Sequence, residues 1–139
     1  MATAQQVMNS GVHCIGADTD LRRAAQIMRD EQIGSLPICD ENGGLRGIIT
    51  DRDIVIGCVA SGADPQSTTA GDLAARRPHA VQASSDVAEV LETMQRHQIR
   101  RLPVLDDERV VGMISEADLA RHLPEDRLAR FVEAIYAER

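Results

Sequence analysis

The sequence predicts an α/β (α+β) fold in which two β-α-β-β-α repeats pack with pseudo-two-fold symmetry and a further helix follows at the C-terminus. Three observations predict it. The chain repeats itself after 66 residues, each copy shows the same order of strand and helix patterns, and the last residues form one apolar helical stripe. A repeat of this size buries little core alone, so we expect the two to pack face to face.

The internal repeat is visible as identical residues that recur at a constant spacing. A shift of 66 positions brings Thr3, Ala4, His13, Ala17, Asp20, Met28, Gln32, Ile33, Leu36, Pro37 and Asp40 onto the same residue types in the second copy. After the turn ENGG, which has one residue fewer in the second copy, Gly47, Ile49 and Asp53 align with Gly112, Ile114 and Asp118. We therefore divide the chain into a first repeat with its linker (1–66), a second repeat (67–123) and a C-terminal helix (124–139).

The elements of each repeat follow one order. A short helical turn (TAQQVM or TAGDLA) precedes a strand (VHCI or HAV) and a helix whose apolar residues recur at i, i+3, i+4 and i+7. These apolar positions are Leu21, Ala24, Ala25 and Met28 in the first repeat, and Val87, Val90, Leu91 and Met94 in the second. Two strands (SLPIC and LRGIIT, or RLPVL and VVGMIS) and a final helix complete the unit.

The segments outside the repeats have simpler patterns. Residues 61–70 are rich in turn formers and polar groups, which is typical of a linker. Pro124 can start another helix, whose apolar stripe consists of Leu128, Phe131, Val132 and Ile135. This stripe must cover either its own domain or a partner subunit.

Composition excludes several functional classes. The net charge of −7 opposes binding to nucleic acid, although Arg76, Arg77, Arg100 and Arg101 form local basic pairs. No apolar run is long enough to span a membrane, and the N-terminus lacks a secretion-signal pattern, so we expect a cytoplasmic protein without membrane contact. No G-x-S-x-G, Walker or HExxH motif is present, so we expect no enzyme.

One motif carries the candidate site in each repeat, at the junction of the last strand and the final helix. GIITDRD places Thr50 and Asp53 three residues apart, and GMISEAD places Ser115 and Asp118 at the equivalent positions. A hydroxyl and a carboxylate at this spacing can form a capping box. The same groups suit a nucleoside pocket, because a carboxylate accepts hydrogen bonds from two vicinal hydroxyls. Both interpretations predict the same residues.

Cysteine and histidine offer two further candidate sites. Cys14, Cys39 and Cys58 lack metal-ligand spacing and fit small buried hydrophobes, but Cys14 and Cys39 can form a disulfide if their strands are neighbours. His97 and His122 each follow an apolar helical residue by three positions and have no histidine counterpart in the first repeat. They are either unrelated histidines at helix C-termini or zinc ligands completed by water or a two-fold axis.

The duplicated β-α-β-β-α unit, with LPV or LPI before a turn and G-h-h-[ST]-x-x-D after it, resembles a tandem pair of CBS domains, the Bateman module. The resemblance covers roughly residues 3–123, and TDRDIVI and ARHLPE are similar to stand-alone actinobacterial members. It implies a homodimer that binds AMP, ADP, ATP or S-adenosylmethionine between the repeats. Thr50 and Ser115 would contact phosphate or ribose, Asp53 and Asp118 the ribose hydroxyls, and Arg100 and Arg101 phosphate.

Two functions of different class follow from this resemblance. The first is a regulatory sensor in a stress or dormancy response, which binds an adenine nucleotide or related metabolite and passes its signal to an unidentified effector protein or to its own assembly. The second is a structural or interaction protein that keeps the fold, binds no nucleotide and is stabilised by zinc or a disulfide. Binding titrations against adenosine-type ligands discriminate between the two.

Overall fold

The computed structural model describes residues 2–74 and 78–137, which form a mixed structure of helices and strands. The elements of the first repeat are α1 (Ala4–Val7), α2 (Leu21–Glu31), β1 (Ser35–Cys39), β2 (Leu45–Thr50) and α3 (Asp51–Ile54), which continues as a π-helix (Val55–Val59). Those that follow are α4 (Ala70–Leu73), β3 (Val81–Gln82), α5 (Val87–His97), β4 (Arg101–Asp106), β5 (Arg109–Ser115), α6 (Glu116–Ala120) and α7 (Glu125–Ile135). The predicted order of elements is confirmed, except that the opening strand of the first repeat is missing between α1 and α2.

The chain divides into two compact units, which do not coincide with the division at 1–66, 67–123 and 124–139. The first unit comprises Val12–Pro78 and Glu108–Val110, and the second comprises Met1–Gly11, His79–Asp107 and Val111–Arg139. The opening turn of each repeat therefore belongs to the unit built around the other repeat. Hydrogen bonds explain this: the Ala4 amide donates to the Ser85 carbonyl at 2.8 Å, and the Gly71 amide to the Ala17 carbonyl at 2.8 Å.

In the first unit, helix α2 packs beside the antiparallel pair β1–β2, in which Leu36 pairs with Ile49. Asp20 caps α2 by accepting a hydrogen bond from the Arg23 amide at 2.8 Å. The predicted apolar face is buried except at Ala25, which is exposed, and Ile27 is buried instead. The predicted strand VHCI is reduced to one parallel bridge between Ile15 and Ile38.

In the second unit, the sheet has the order β3-β4-β5, and Val81 and Gln82 of β3 pair in parallel with Val104 and Leu105 of β4. Helices α5 and α7 pack together. Phe131 and Ile135 are buried within the same apolar cluster as Leu91 and Met94. The C-terminal helix therefore covers its own unit, which resolves the alternative left open by its apolar stripe.

Within the described ranges, no helix combines the length and the apolar character that crossing a membrane requires.

Candidate functional site

The first hydroxyl–acid pair, Thr50 and Asp53, forms a capping box where β2 ends and α3 begins. The Thr50 amide donates to Oδ2 of Asp53 at 2.9 Å, and the Asp53 amide donates to Oγ1 of Thr50 at 3.0 Å. The box satisfies two amides at the start of the helix. Among the residues that the structure describes, Oδ1 of Asp53 has no hydrogen bond, so this pair keeps a free acceptor on an exposed side chain.

The second pair, Ser115 and Asp118, forms the same box with more internal bonds. The Ser115 amide and hydroxyl donate to Oδ2 of Asp118 at 2.9 and 3.0 Å, and the Asp118 amide donates to Oγ of Ser115 at 3.3 Å. Arg121 contacts Oδ1 of Asp118 at 3.2 Å, and the Asp118 side chain is only 13% exposed. The capping interpretation is thus confirmed in both repeats, and Asp118 holds the Ser115 hydroxyl in place.

A cavity of about 240 Å³ lies at this second junction, within the second unit. Its lining consists of Arg100, Arg101, Ser115, Glu116 and Ala117. The structure therefore brings together three of the residues predicted for ligand binding, Arg100, Arg101 and Ser115. Arg76 and Arg77, the other residues of the predicted basic pairs, lie outside the described residues. At the position of Arg100 and Arg101 the first repeat carries Gly34 and Ser35, so its junction lacks these cations.

Two polar residues were not predicted from the sequence: Glu116, which lines the cavity, and Tyr136, which contacts Glu116. The Tyr136 hydroxyl donates to Oε2 of Glu116 at 3.3 Å, and Nη1 of Arg100 donates to the Tyr136 oxygen at 3.4 Å. The Arg100 guanidinium also lies 5.8 Å from the centroid of the Tyr136 ring. Tyr136 follows α7, so the C-terminal helix connects to the cavity through this chain of contacts. No repeat alignment could reveal it, because α7 has no counterpart in the first repeat.

The histidines predicted as zinc ligands each have another neighbour. The ring of His97 stacks on that of His79 with centroids 3.5 Å apart and an interplanar angle of 12°. Desolvation, together with the charges of His79 and Arg96, lowers the pKa of His97. The ring of His122 is hydrogen-bonded through Nδ1 to the Asp118 carbonyl at 2.9 Å. No group of three or more metal-ligating side chains occurs in the part of the chain that the structure describes, so the site at His97 and His122 stays a prediction.

Cys14 and Cys39 lie side by side as free thiols. The Cys39 amide donates to the Ile15 carbonyl at 2.8 Å, and Ile15 forms a parallel bridge with Ile38, so the two cysteine-bearing segments are neighbours, which is the condition for the disulfide. The hydrogen bond from the Cys39 thiol lowers the pKa of Cys14 against the opposing effect of burial. The same bond, followed by burial, raises the pKa of Cys39. The disulfide stays a prediction, and Cys58 is buried as expected for a small hydrophobe.

Comparison with known proteins places these features in one family. The model of the CBS domain matches residues 4–58 and 70–125. The chain is 49% identical over 135 residues to hypoxic response protein 1 of Mycobacterium tuberculosis, an alignment that covers 97% of this chain and 94% of the relative.

Two solved structures show the same likeness in three dimensions. One is hypoxic response protein I with two coordinated zinc ions, at a TM-score of 0.81 and 49% identity, covering 88% of this chain and all of that one. The other is a CBS domain pair in complex with 5′-methylthioadenosine and S-adenosyl-L-methionine, at a TM-score of 0.77 and 28% identity, covering 87% of this chain and 94% of that one.

Proposed function

The chain belongs to the CBS domain family, and from this premise we propose that it is a regulatory module that binds an adenosine-type ligand and acts in a stress or dormancy response. The observation that carries the proposal is the cavity of about 240 Å³ at the second hydroxyl–acid box. Two guanidinium groups and a hydroxyl line it, and these are groups that bind anions and sugar hydroxyls.

The residues at the cavity divide into two roles. Arg100, Arg101 and Ser115 line it and would contact the ligand directly. Asp118 orients the Ser115 hydroxyl through their bond of 3.0 Å and would act as a positioning residue. Sites for whole drug-sized ligands have volumes of about 300–1,000 Å³. The cavity therefore accommodates one end of a nucleoside derivative, with the remainder lying outside it.

The first hydroxyl–acid box would be the weaker of the two sites. Oδ1 of Asp53 is an acceptor without an internal partner among the described residues, which suits a ribose hydroxyl. The sequence at Gly34 and Ser35, however, supplies no cation for an anionic group. We therefore propose that ligand binding in this protein is unequal between the repeats, with the second repeat binding more tightly.

The relatives support the class of ligand and the setting. A CBS pair related at 28% identity has been solved with 5′-methylthioadenosine and S-adenosyl-L-methionine, which are both adenosine derivatives. The relative at 49% identity is named for the hypoxic response. A ligand-binding regulatory module without a reaction of its own is consistent with both findings.

A thermal-shift titration tests the proposal. The purified chain is heated with increasing AMP, ATP, S-adenosylmethionine or NAD. A ligand at one hundred times its Kd stabilises the folded chain by about 2.7 kcal/mol, which corresponds to a rise of roughly 9 °C for a chain of this length. We expect Asp118→Ala to abolish the larger part of this rise and Asp53→Ala to abolish the smaller part.

A matched control separates loss of the ligand from loss of a cap. Asp72 forms an equivalent capping box with Thr69 at α4, with bonds of 2.9 and 3.3 Å. Asp72→Ala therefore removes the same kind of interaction outside the cavity and should leave the ligand-induced rise intact. No rise with any of the four compounds would contradict the proposal. An equal loss of the rise in Asp72→Ala would also contradict it.

The second candidate is a structural or interaction protein that binds no nucleotide. The observation that favours it is that both capping boxes are formed. The hydroxyl and the carboxylate of each box already accept hydrogen bonds from backbone amides of the same chain. A disulfide between Cys14 and Cys39, whose thiols are hydrogen-bonded, would stabilise such a protein. Reaction with an oxidant, followed by mass measurement of the intact chain, reports this bond as the loss of two hydrogens.

Zinc would also stabilise a protein of this second kind, but the donors among the described residues of one chain do not form a closed zinc site. Structural zinc takes four ligands, and imidazole binds it through a nitrogen in the ring plane. His97 and His79 instead present their faces to each other. No group of three suitable donors occurs within the described residues. Zinc bound at His97 or His122 would therefore need further ligands from a second chain or from water.

We also propose that two copies of the chain associate through the π-helix. Val55, Ile56 and Val59 are 55, 55 and 65% exposed on this one turn, which is a large apolar surface for neighbouring residues. In a two-fold symmetric dimer the patch of one copy packs against the same patch of the other copy, and an apolar surface suits such a contact. Ile56→Asp should convert a dimer into monomers in sedimentation equilibrium. An unchanged mass would contradict this surface.

A further inference from the structure

The first unit contains a pair of thiols that the proposed ligand site does not use. Cys14 and Cys39 are both free; Cys14 is exposed and Cys39 is half-buried. Both residues belong to the first unit, whereas the cavity at Ser115 belongs to the second. The chemistry of these thiols can therefore be tested separately from ligand binding at that cavity.

The backbone holds the two thiols side by side. The Ile15 amide donates to the Pro37 carbonyl at 3.0 Å, and the Cys39 amide donates to the Ile15 carbonyl at 2.8 Å. Ile15 and Ile38 form a parallel bridge and are only 6% and 1% exposed. Because side chains alternate between the two faces of paired strands, Cys14 and Cys39 lie on the face opposite to this buried pair. The two thiols therefore share one accessible face.

The side chains of Cys14 and Cys39 are joined to each other by a hydrogen bond. This bond places one proton between the two sulfur atoms, and sulfur is a weak hydrogen-bonding atom. Sulfur in its thiolate form is, in contrast, a strong ligand for soft metal ions. A soft cation can therefore take the position of the shared proton.

The number of donors decides which cation fits. No group of three or more metal-ligating side chains occurs in residues 2–74 and 78–137, and structural zinc takes four ligands. Asp40, which follows Cys39, accepts hydrogen bonds from the Asn42 and Gly44 amides at 2.9 and 2.8 Å and pairs with Arg46 at 3.3 Å. Its carboxylate is thus engaged within the turn. Cu(I) prefers thiolate ligands and is stable with a linear pair of them.

We propose that Cys14 and Cys39 form a binding site for one Cu(I) ion per chain. Each thiol loses its proton to solvent and each sulfur forms one bond to the metal, so two protons are released and copper stays in the Cu(I) state. A disulfide between the same residues excludes bound Cu(I), because both use the same two sulfur atoms. The site therefore exists only in the reduced chain.

Anaerobic titration of the reduced chain with Cu(I), in competition with the chelator bicinchoninate, tests this site. We expect one Cu(I) bound per chain. Changes in residues that only support a metal ligand weaken metal binding about 10–100-fold. Loss of a ligand itself, in Cys14→Ser or Cys39→Ser, should therefore weaken Cu(I) binding by at least about a hundredfold.

Cys58→Ser is the matched control for these two variants. Cys58 is fully buried, and its thiol donates to the Ala63 carbonyl at 3.4 Å, a hydrogen bond that a serine hydroxyl can also form. This variant removes a thiol outside the pair and should leave the Cu(I) affinity unchanged. An equal loss of affinity in Cys58→Ser, or unaltered binding in Cys14→Ser or Cys39→Ser, would overturn the site.

X-ray absorption spectroscopy of the copper-loaded, unaltered chain identifies the ligands without depending on any variant. We expect a first shell of two sulfur atoms. A nitrogen in that shell, or a third sulfur, would overturn the two-thiolate site, as would failure of the reduced chain to bind Cu(I) at all. Zinc bound by the same thiols as tightly as Cu(I) would overturn the choice of metal. None of these results changes the expectation for an adenosine-type ligand.

Discussion

Replacing Phe131 by alanine tests whether α7 is an integral part of the core of the second unit. Phe131 is fully buried and belongs to the same apolar cluster as Leu91 and Met94 of α5. Truncation of a buried phenylalanine costs about 3–5 kcal/mol, because apolar contacts are lost and a cavity remains. The unfolding entropy of a chain of 139 residues is about 0.3 kcal/mol/K, so each kcal/mol shifts Tm by about 3 °C.

We therefore expect Phe131→Ala to lower Tm by roughly 10–15 °C, measured by circular dichroism of the helical signal. Val132→Ala on the same helix is the control, since Val132 is 40% exposed, and it should change stability by no more than about 0.5 kcal/mol. A decrease below about 3 °C for Phe131→Ala, or an equal decrease for both variants, would refute the docking of α7 as described.

Three other perturbations have defined outcomes. Cys39→Ala removes the hydrogen bond that lowers the pKa of Cys14, so the pH midpoint for alkylation of Cys14 by iodoacetamide should rise; an unchanged or lower midpoint would contradict the contact. Gly71→Ala places a Cβ 2.9 Å from the Ala17 carbonyl oxygen, and overpacking of this kind costs about 1–3 kcal/mol in urea denaturation. An increase in stability, as helix propensity alone would give, would argue against that close approach. Asp118→Ala should cost about 1 kcal/mol without ligand through loss of its cap, and the same denaturation curve as the unaltered chain would exclude this capping role.

The local structure could be predicted from the sequence because its signals are local. The strand β2 occupies the predicted LRGIIT, and the hydroxyl–acid boxes begin α3 and α6 where the motif indicates. A hydroxyl and an acid three residues apart interact across one helical turn whatever the rest of the chain does. The 66-residue repeat then supplied each of these predictions twice.

The features that depend on long-range packing could not be predicted. Nothing in the sequence of the opening turn at Ala4–Val7 indicates which part of the fold it packs against. Its backbone amides nevertheless donate to carbonyl groups of the second unit. The partner of His97 proved to be His79, which lies in a segment without a helical pattern. Glu116 and Tyr136 were missed for the same reason, since twenty residues separate them and only the fold brings them into contact.

Native mass spectrometry of the purified chain with AMP, ATP or S-adenosylmethionine tests the central claim most directly, because it counts subunits and bound ligands in one spectrum. We predict a two-subunit species that carries one of these ligands, and loss of the bound ligand in Asp118→Ala while the two-subunit species remains. A spectrum that shows only ligand-free chain at saturating concentrations of all three compounds would contradict the claim that this protein binds an adenosine-type ligand.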